Sequence, residues 1–255
     1  MSLAAEARRR RFHQIGPWIL AGTAIGVGII VEAIHRHVLG SEQVWYFVVL
    51  IPSIILHEVS HGAVANACGD KTAKEAGRLT LNPLKHIDIF GTILLPILLL
   101  VTTGTAFGWA KPVPVSVNRL RHPRNQAVLV GLAGPAVNIA LALIFGFIFR
   151  FVTDNGAKLP FGGGGSLTGW PLGYELLYLA GFANVIVAAF NLIPIPPLDG
   201  SAVVERLLPQ SVLPSYYRIR SFSMLLVFAL VFLAPGLLDT IFNHALSIWG
   251  HVVFS

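Results

Sequence analysis

The chain has 255 residues, 55% of them hydrophobic and only 12% charged. A water-soluble domain carries about 25% charged residues, so the composition excludes an ordinary soluble fold and makes lipid the surrounding solvent. The formal charge of +6 lies in short loops between apolar blocks, where it meets lipid headgroups rather than nucleic acid, and the lone Cys68 excludes an intramolecular disulfide framework.

In chain order the apolar blocks are Ile15–Ile34, Val44–Ala67, Ile89–Val101, Ala127–Val152, Tyr174–Ile193 and Phe222–Phe242. Several approach the roughly 20 residues that span a bilayer. The first follows the basic run Arg8 to Arg11 as a signal peptide would, but no small-x-small cleavage site comes after it, so an uncleaved span is expected. Gly22 and Gly26 form a GxxxG pair there, a weak sign of close helix packing. The third block is short and interrupted by Pro96. Between the blocks lie a mixed basic loop, a Gly/Pro/Lys segment (Gly104 to Arg124), a glycine run at Gly162 to Gly165 that reads as a flexible outer loop, and a turn rich in proline from Pro194 to Pro197. No internal repeat is visible, and no stretch is long or polar enough for a separate soluble domain.

The expected fold is therefore an all-α polytopic membrane protein. It has about five full transmembrane helices, one short re-entrant or partial helix at Ile89–Val101, and a small β-hairpin near Gly108–Val115. A single domain over 1–255 is expected, with a core at about 44–208 and a C-terminal transmembrane helix within 209–255.

The second block ends in His57-Glu58-Val59-Ser60-His61, an HExxH motif. Residues four apart share a helix face, so both imidazoles reach one zinc, and Glu58 lies beside that face to take a proton from a water polarised by the metal. Two histidines and a glutamate inside an apolar helix are costly and mark function; the alternative is a polar packing cluster. A hydrolytic zinc takes three protein ligands and a water. The third candidate is Asp199, which follows prolines that must unwind the helix. Such unwinding at membrane depth belongs beside a cavity or buried in protein. Alternatively, Asp199 caps a following helix, Ser201–Leu208. Asn138 and Asn191 are candidates to donate to a substrate carbonyl or to bond between helices. In Gly108-Trp109-Ala110-Lys111-Pro112-Val113-Pro114-Val115 the prolines suit an edge strand, which would hold an extended substrate by strand addition, if it is not a plain hairpin on the lipid surface. Gly108, Trp109, Lys111 and Val113 are the candidate substrate contacts, whereas His86 reads as an interfacial loop histidine.

Topology follows from the basic residues. If the N-terminus is cytoplasmic and the third block turns back, 15 of the 18 Lys and Arg lie inside, as the positive-inside rule favours. His57 stands about 16 Å from the end of its helix at 1.5 Å per residue, toward the cytoplasmic face. Asp199 reaches that depth only if the block before it runs in the same direction, which again requires the third block not to cross.

HEVSHG, then GLAGPAVN, then NLIPIPPLDG, with FGWAKPVPV between the first two, resembles the site-2 protease family of intramembrane zinc metalloproteases (peptidase family M50), in a minimal prokaryotic form without PDZ or CBS domains. The resemblance covers about Leu56 to Gly200. It implies one Zn2+ per chain held by His57, His61 and Asp199, with Glu58 as catalytic base and Asn191 assisting. It implies a metalloendopeptidase of class EC 3.4.24 that cuts within or near transmembrane segments of a membrane protein, for example a single-span anti-sigma factor or other membrane-bound regulator. The expected location is the plasma membrane, in contact with the lipid bilayer. A metal transporter and a catalytically dead relative are the rival readings. The concentration of ionisable groups at one site opposes the first, and the intact Glu58 opposes the second.

Overall fold

The computed structural model describes residues 41–88, 91–92, 109–153 and 170–255. The described elements are helices: α1 (Ser41–Ala67), the short α2 (Thr72–Glu75), α3 (Pro123–Val152), α4 (Leu172–Asn191), α5 (Ser201–Leu207), α6 (Leu213–Arg220), α7 (Ser223–Leu233) and α8 (Pro235–Phe254), with 3-10 turns at Pro83–Lys85 and Val117–Arg119. The chain divides into two compact units, one of Met1–Val44 with Ile87–Lys111 and one of Trp45–His86 with Pro112–Ser255. The chemistry lies in the second.

Stretches of α1, α3 and α4 are long and apolar enough to cross a membrane: Val44–Ala67, Pro123–Val152 and Leu172–Asn191. α3 opens on Pro123, whose missing N–H is harmless in the first turn. α4 stops at Asn191 because Pro194, Pro196 and Pro197 cannot continue a helix. The turn after it is closed by the Gly200 amide donating to the Asn191 carbonyl at 2.7 Å. A Cβ at Gly200 would lie 2.2 Å from the Leu192 carbonyl oxygen, so the turn admits only glycine here.

α3 packs along α4, and α8 lies across both. Lipid supplies no hydrophobic drive between spans, so small residues and interhelical hydrogen bonds do the work. Trp249 of α8 seats on Gly146 of α3 and Gly181 of α4, where added Cβ atoms would come within 2.9 and 2.5 Å of its ring, and its indole N–H donates to the Ala142 carbonyl at 2.9 Å. Phe149, Tyr178 and Val253 complete this core. The outward face of α3 exposes Leu129, Ile139, Ile144, Phe147, Ile148 and Phe151, an apolar surface suited to lipid.

At the other end of α1, Ala65, Leu120 and Val130 form a smaller cluster. The loops there are pinned by Asp70, which is fully buried. Its carboxylate accepts from the Thr72 amide at 3.0 Å, the Thr72 hydroxyl, and the Ser116 amide at 2.6 Å. Burial by itself would raise the Asp70 pKa. The bonds from Thr72 and Ser116, with the charge of Arg119, outweigh it and hold the pKa below the ordinary value. A depressed carboxyl stabilises the fold above its unfolded pKa, and that contribution disappears as pH falls through the folded value.

Three sequence expectations change. Among the described residues three helices qualify as spans, or four if α6 and α7, bent by 65° at their junction, form one broken span. The expected five are not found; the block Ile15–Ile34, with Gly22 and Gly26, lies outside the described residues, as do Gly162 to Gly165 and all but Gly91 and Thr92 of Ile89–Val101. The last block is not one helix: α7 ends at Leu233 and α8 starts at Pro235, because a residue before proline is driven out of the α region and Ala234 sits at φ −131°. Finally, no strand occurs among the described residues, so the β-hairpin near Gly108–Val115 is not supported; Gly108 itself lies outside them. Pro112 and Pro114 have no N–H to donate. The Val113 amide donates to Glu58 and the Ser116 amide to Asp70, so the segment takes side-chain acceptors where a hairpin would use a partner strand.

Candidate active site

His57 and His61 lie on one face of α1, four residues apart, with ring centroids 4.7 Å apart and nearly perpendicular. They are 4% and 9% exposed, so their ring nitrogens must find partners in the protein. His57 Nδ1 lies 2.6 Å from the Asn138 side-chain oxygen, and His61 Nδ1 lies 2.6 Å from the Val130 carbonyl, both on α3. A carbonyl only accepts, so His61 carries its proton on Nδ1, and the same holds for His57 facing an amide oxygen. With both rings neutral, as metal ligation requires, each Nε2 presents a lone pair.

The two Nε2 atoms face each other at 3.1 Å. Asp199 Oδ2 approaches them at 3.0 Å from His57 and 3.3 Å from His61. That oxygen is buried and has no partner besides the two histidine nitrogens. In that state three electron-rich atoms converge, and the ligand atoms of the trio all fall within 4.8 Å. Uncompensated, this arrangement repels itself; a cation reconciles it. Donors about 2.0–2.1 Å from a tetrahedral zinc stand roughly 3.3 Å from one another, which the observed spacings match. The donor set of two imidazoles and one carboxylate is zinc chemistry.

α3 leaves room for this centre at Gly134. An added Cβ would lie 2.5 Å from His57 Cε1 and His61 Nε2 and 2.6 Å from His57 Nε2. Asp199 is delivered by the turn after α4. It does not cap α5: that position belongs to Gly200, and no side chain bonds the helix start. At Gly131 a Cβ would meet Ala202 at 2.7 Å, so the same glycine-rich face of α3 lets α5 approach.

Glu58 is half-buried, and its Oε2 accepts the Val113 amide at 2.9 Å. Val113 is buried against Gly62 of α1, so its side chain is packing and only its backbone touches the site. Trp109, in the other unit, lies against Gly91: its amide donates to the Gly91 carbonyl at 3.0 Å, and its carbonyl accepts from Thr92 at 2.8 Å. Lys111 is exposed. Asn191 donates to Val187 on its own helix at 3.0 Å. His86 bonds the Thr80 carbonyl at 2.9 Å and is absent from the metal-competent trio. The site thus unites His57, His61, Asp199, Glu58 and Asn138, while Val113 enters through its amide alone.

Sequence reasoning missed two participants. The Val130 carbonyl has no signature, because any residue supplies one. Asn184 was legible as a polar group inside an apolar block; it is fully buried and bonds to Asn138 at 2.6 Å.

Known proteins resemble the chain in sequence. The sequence profile of peptidase family M50 matches residues 45–163 and 170–234. "Putative zinc metalloprotease YwhC" of Bacillus subtilis is 37% identical over 189 residues, covering 74% of this chain and 80% of that protein. "Putative zinc metalloprotease Rip2" of Mycobacterium tuberculosis is 32% identical over 186 residues, 72% of this chain and 65% of that one. "Zinc metalloprotease MJ0392" of Methanocaldococcus jannaschii is 26% identical over 184 residues, 72% of this chain but only 38% of that protein. No solved structure matches the chain. With a family profile covering most of its length and a metal-competent trio between apolar helices, the chain belongs to peptidase family M50, the site-2 protease family, and is a multi-pass membrane zinc metalloprotease.

Proposed function

We propose that the chain is an intramembrane endopeptidase. It hydrolyses peptide bonds within or near transmembrane segments of membrane-protein substrates, using His57, His61 and Asp199 as zinc ligands and Glu58 as general base. The observation that carries this reading is the convergence of two imidazoles and a carboxylate between helices of spanning length, with a second carboxylate one residue from the first of them.

When bound, zinc supplies Lewis acidity toward a carbonyl and favours deprotonation of water. The chain's own groups do the rest. The Val113 amide holds one oxygen of Glu58, which fixes the carboxylate. Glu58 takes the proton of the attacking water and returns it to the departing amine. Asn191 has an amide hydrogen beyond its bond to Val187, and in this reading gives it to the substrate carbonyl. A scissile amide in an intact helix is hydrogen-bonded and shielded, so the substrate must unwind, and Gly, Pro or Asn near the cut favours this. A single-span regulator such as an anti-sigma factor fits these needs. The test is co-expression with single-span membrane proteins and mass mapping of the products. Cuts within or at the edge of the span are expected; cuts confined to water-exposed loops would overturn the reading.

The active site lies toward the cytoplasmic side in this reading, with the N-terminus cytoplasmic and the membrane the plasma membrane. It rests on the basic residues, 15 of 18 of which lie inside in this topology, and on a contact between the two ends that flank the third apolar block. The Arg121 amide donates to the Cys68 carbonyl at 3.0 Å, and the Arg121 guanidinium to the Ala67 carbonyl at 3.2 Å. In this reading the end of α1 and the approach to α3 share one side of the bilayer, which an odd number of crossings between them would forbid. In a Cys68→Ser background, Lys74→Cys and His122→Cys should both react with an impermeant maleimide from the cytoplasmic side. Labelling from opposite sides would contradict the topology.

A further inference from the structure

We propose that Asn184 is a positioning residue of the zinc site, acting through Asn138 to fix which nitrogen of His57 faces the metal. The inference rests on the reading of His57 as a ligand. It starts from a chain of buried hydrogen bonds whose directions are set at its far end. The Asn184 amide nitrogen donates to the Ala180 carbonyl at 2.8 Å, and a carbonyl only accepts. The same nitrogen donates to the Ser53 hydroxyl at 2.9 Å, whose own proton goes to the Val49 carbonyl. Both amide hydrogens of Asn184 are thereby committed, and its side-chain oxygen must face Asn138.

That oxygen accepts from the Asn138 amide nitrogen at 2.6 Å. Asn138 is thus oriented with its own oxygen toward His57 Nδ1, at 2.6 Å. The proton of the imidazole is held on Nδ1, and the Nε2 lone pair is left facing His61 and Asp199. Asn138 and Asn184 are fully buried and Ser53 nearly so, which shields the sequence of donors from bulk water. Asn138 has one further anchor, the Ser53 carbonyl at 3.4 Å, a distance at which a hydrogen bond is weak. Without Asn184 the Asn138 amide is free to turn over. Its NH2 group would then face Nδ1 and favour the proton on Nε2, where it blocks metal binding.

Two substitutions of similar size separate this role from packing. Asn184→Leu removes the acceptor that orients Asn138. Asn184→Asp keeps an acceptor there, since burial favours the neutral acid, whose hydroxyl donates to Ala180. Zinc affinity of the full chain in detergent is read by competition with a chelator. Asn184→Leu is expected to bind zinc about 10–100-fold more weakly, the usual effect of losing a partner beyond the ligands, and Asn184→Asp to recover affinity close to wild type. Wild-type affinity in Asn184→Leu, or an equal loss in both variants, would overturn the proposal. Should Asn184→Leu fail to fold, the 15N shifts of His57 in the zinc-free wild-type chain decide instead: a protonated Nδ1 is expected, and a protonated Nε2 overturns it. Retention of zinc by His57→Ala would reject the ligand set itself, an outcome distinct from any of these.

Discussion

Asp199→Ala is expected to leave the protein without stoichiometric zinc after purification. The substitution removes the one anionic donor and leaves two neutral imidazole lone pairs facing each other at 3.1 Å. Structural zinc sites with four ligands bind with about 10–16 kcal/mol, so one ligand accounts for roughly 3 kcal/mol or more, a hundred-fold and upward in affinity. The fold should persist, because the Asp199 side chain makes no cap and no hydrogen bond outside the site, and the turn that carries it is closed by the Gly200 amide on the Asn191 carbonyl. Metal analysis of the detergent-purified chain, with circular dichroism as the control, checks this. Full zinc in Asp199→Ala would mean that the ligand set is wrong.

A single methyl group at Gly134 should do comparable harm from the opposite side. Its contacts would fall at 2.5 Å on both histidines, about 1 Å inside van der Waals separation. The helix backbone and the buried rings cannot both stay in place. Overpacking of this kind costs about 1–3 kcal/mol, and a displacement near 1 Å at a reacting centre costs on the order of 100-fold in rate. Gly134→Ala is therefore expected to weaken zinc binding and to lower proteolysis by about that factor. Gly236→Ala, whose added methyl meets nothing within 4 Å, should behave as wild type in both measurements. Equal activity of the two variants would show that α3 does not form the wall of the site.

The parts of this site that depend on regular periodicity could be read from the sequence. His57 and His61 share a face because a helix repeats every 3.6 residues, and the apolar blocks marked α1, α3 and α4 to within four residues at each end. Asp199 required an argument about depth and a proline-broken helix, and its competing role as a cap could be dismissed only when the structure put Gly200 at that position. Partners supplied by the backbone were invisible. Nothing in the residue type of Val130 announces that its carbonyl orients His61, nor that the amide of Val113 holds Glu58. The proline-rich segment misled for the same reason. Proline is compatible with an edge strand, but the Val113 amide between the prolines and the Ser116 amide beyond them bond to carboxylates elsewhere in the chain. The block Phe222–Phe242 misled by composition, since hydropathy runs unbroken through Ala234 while the backbone does not.

The most direct measurement of the central claim pairs cleavage with metal content in Glu58→Gln. Glutamine keeps the size of the side chain and its oxygen can still accept the Val113 amide, but it cannot take a proton from water. General-base catalysis contributes about 10²–10⁴-fold. Glu58→Gln is expected to retain one zinc per chain and to lose cleavage of a single-span substrate by that range. Cleavage at the wild-type rate by the zinc-loaded variant would contradict it.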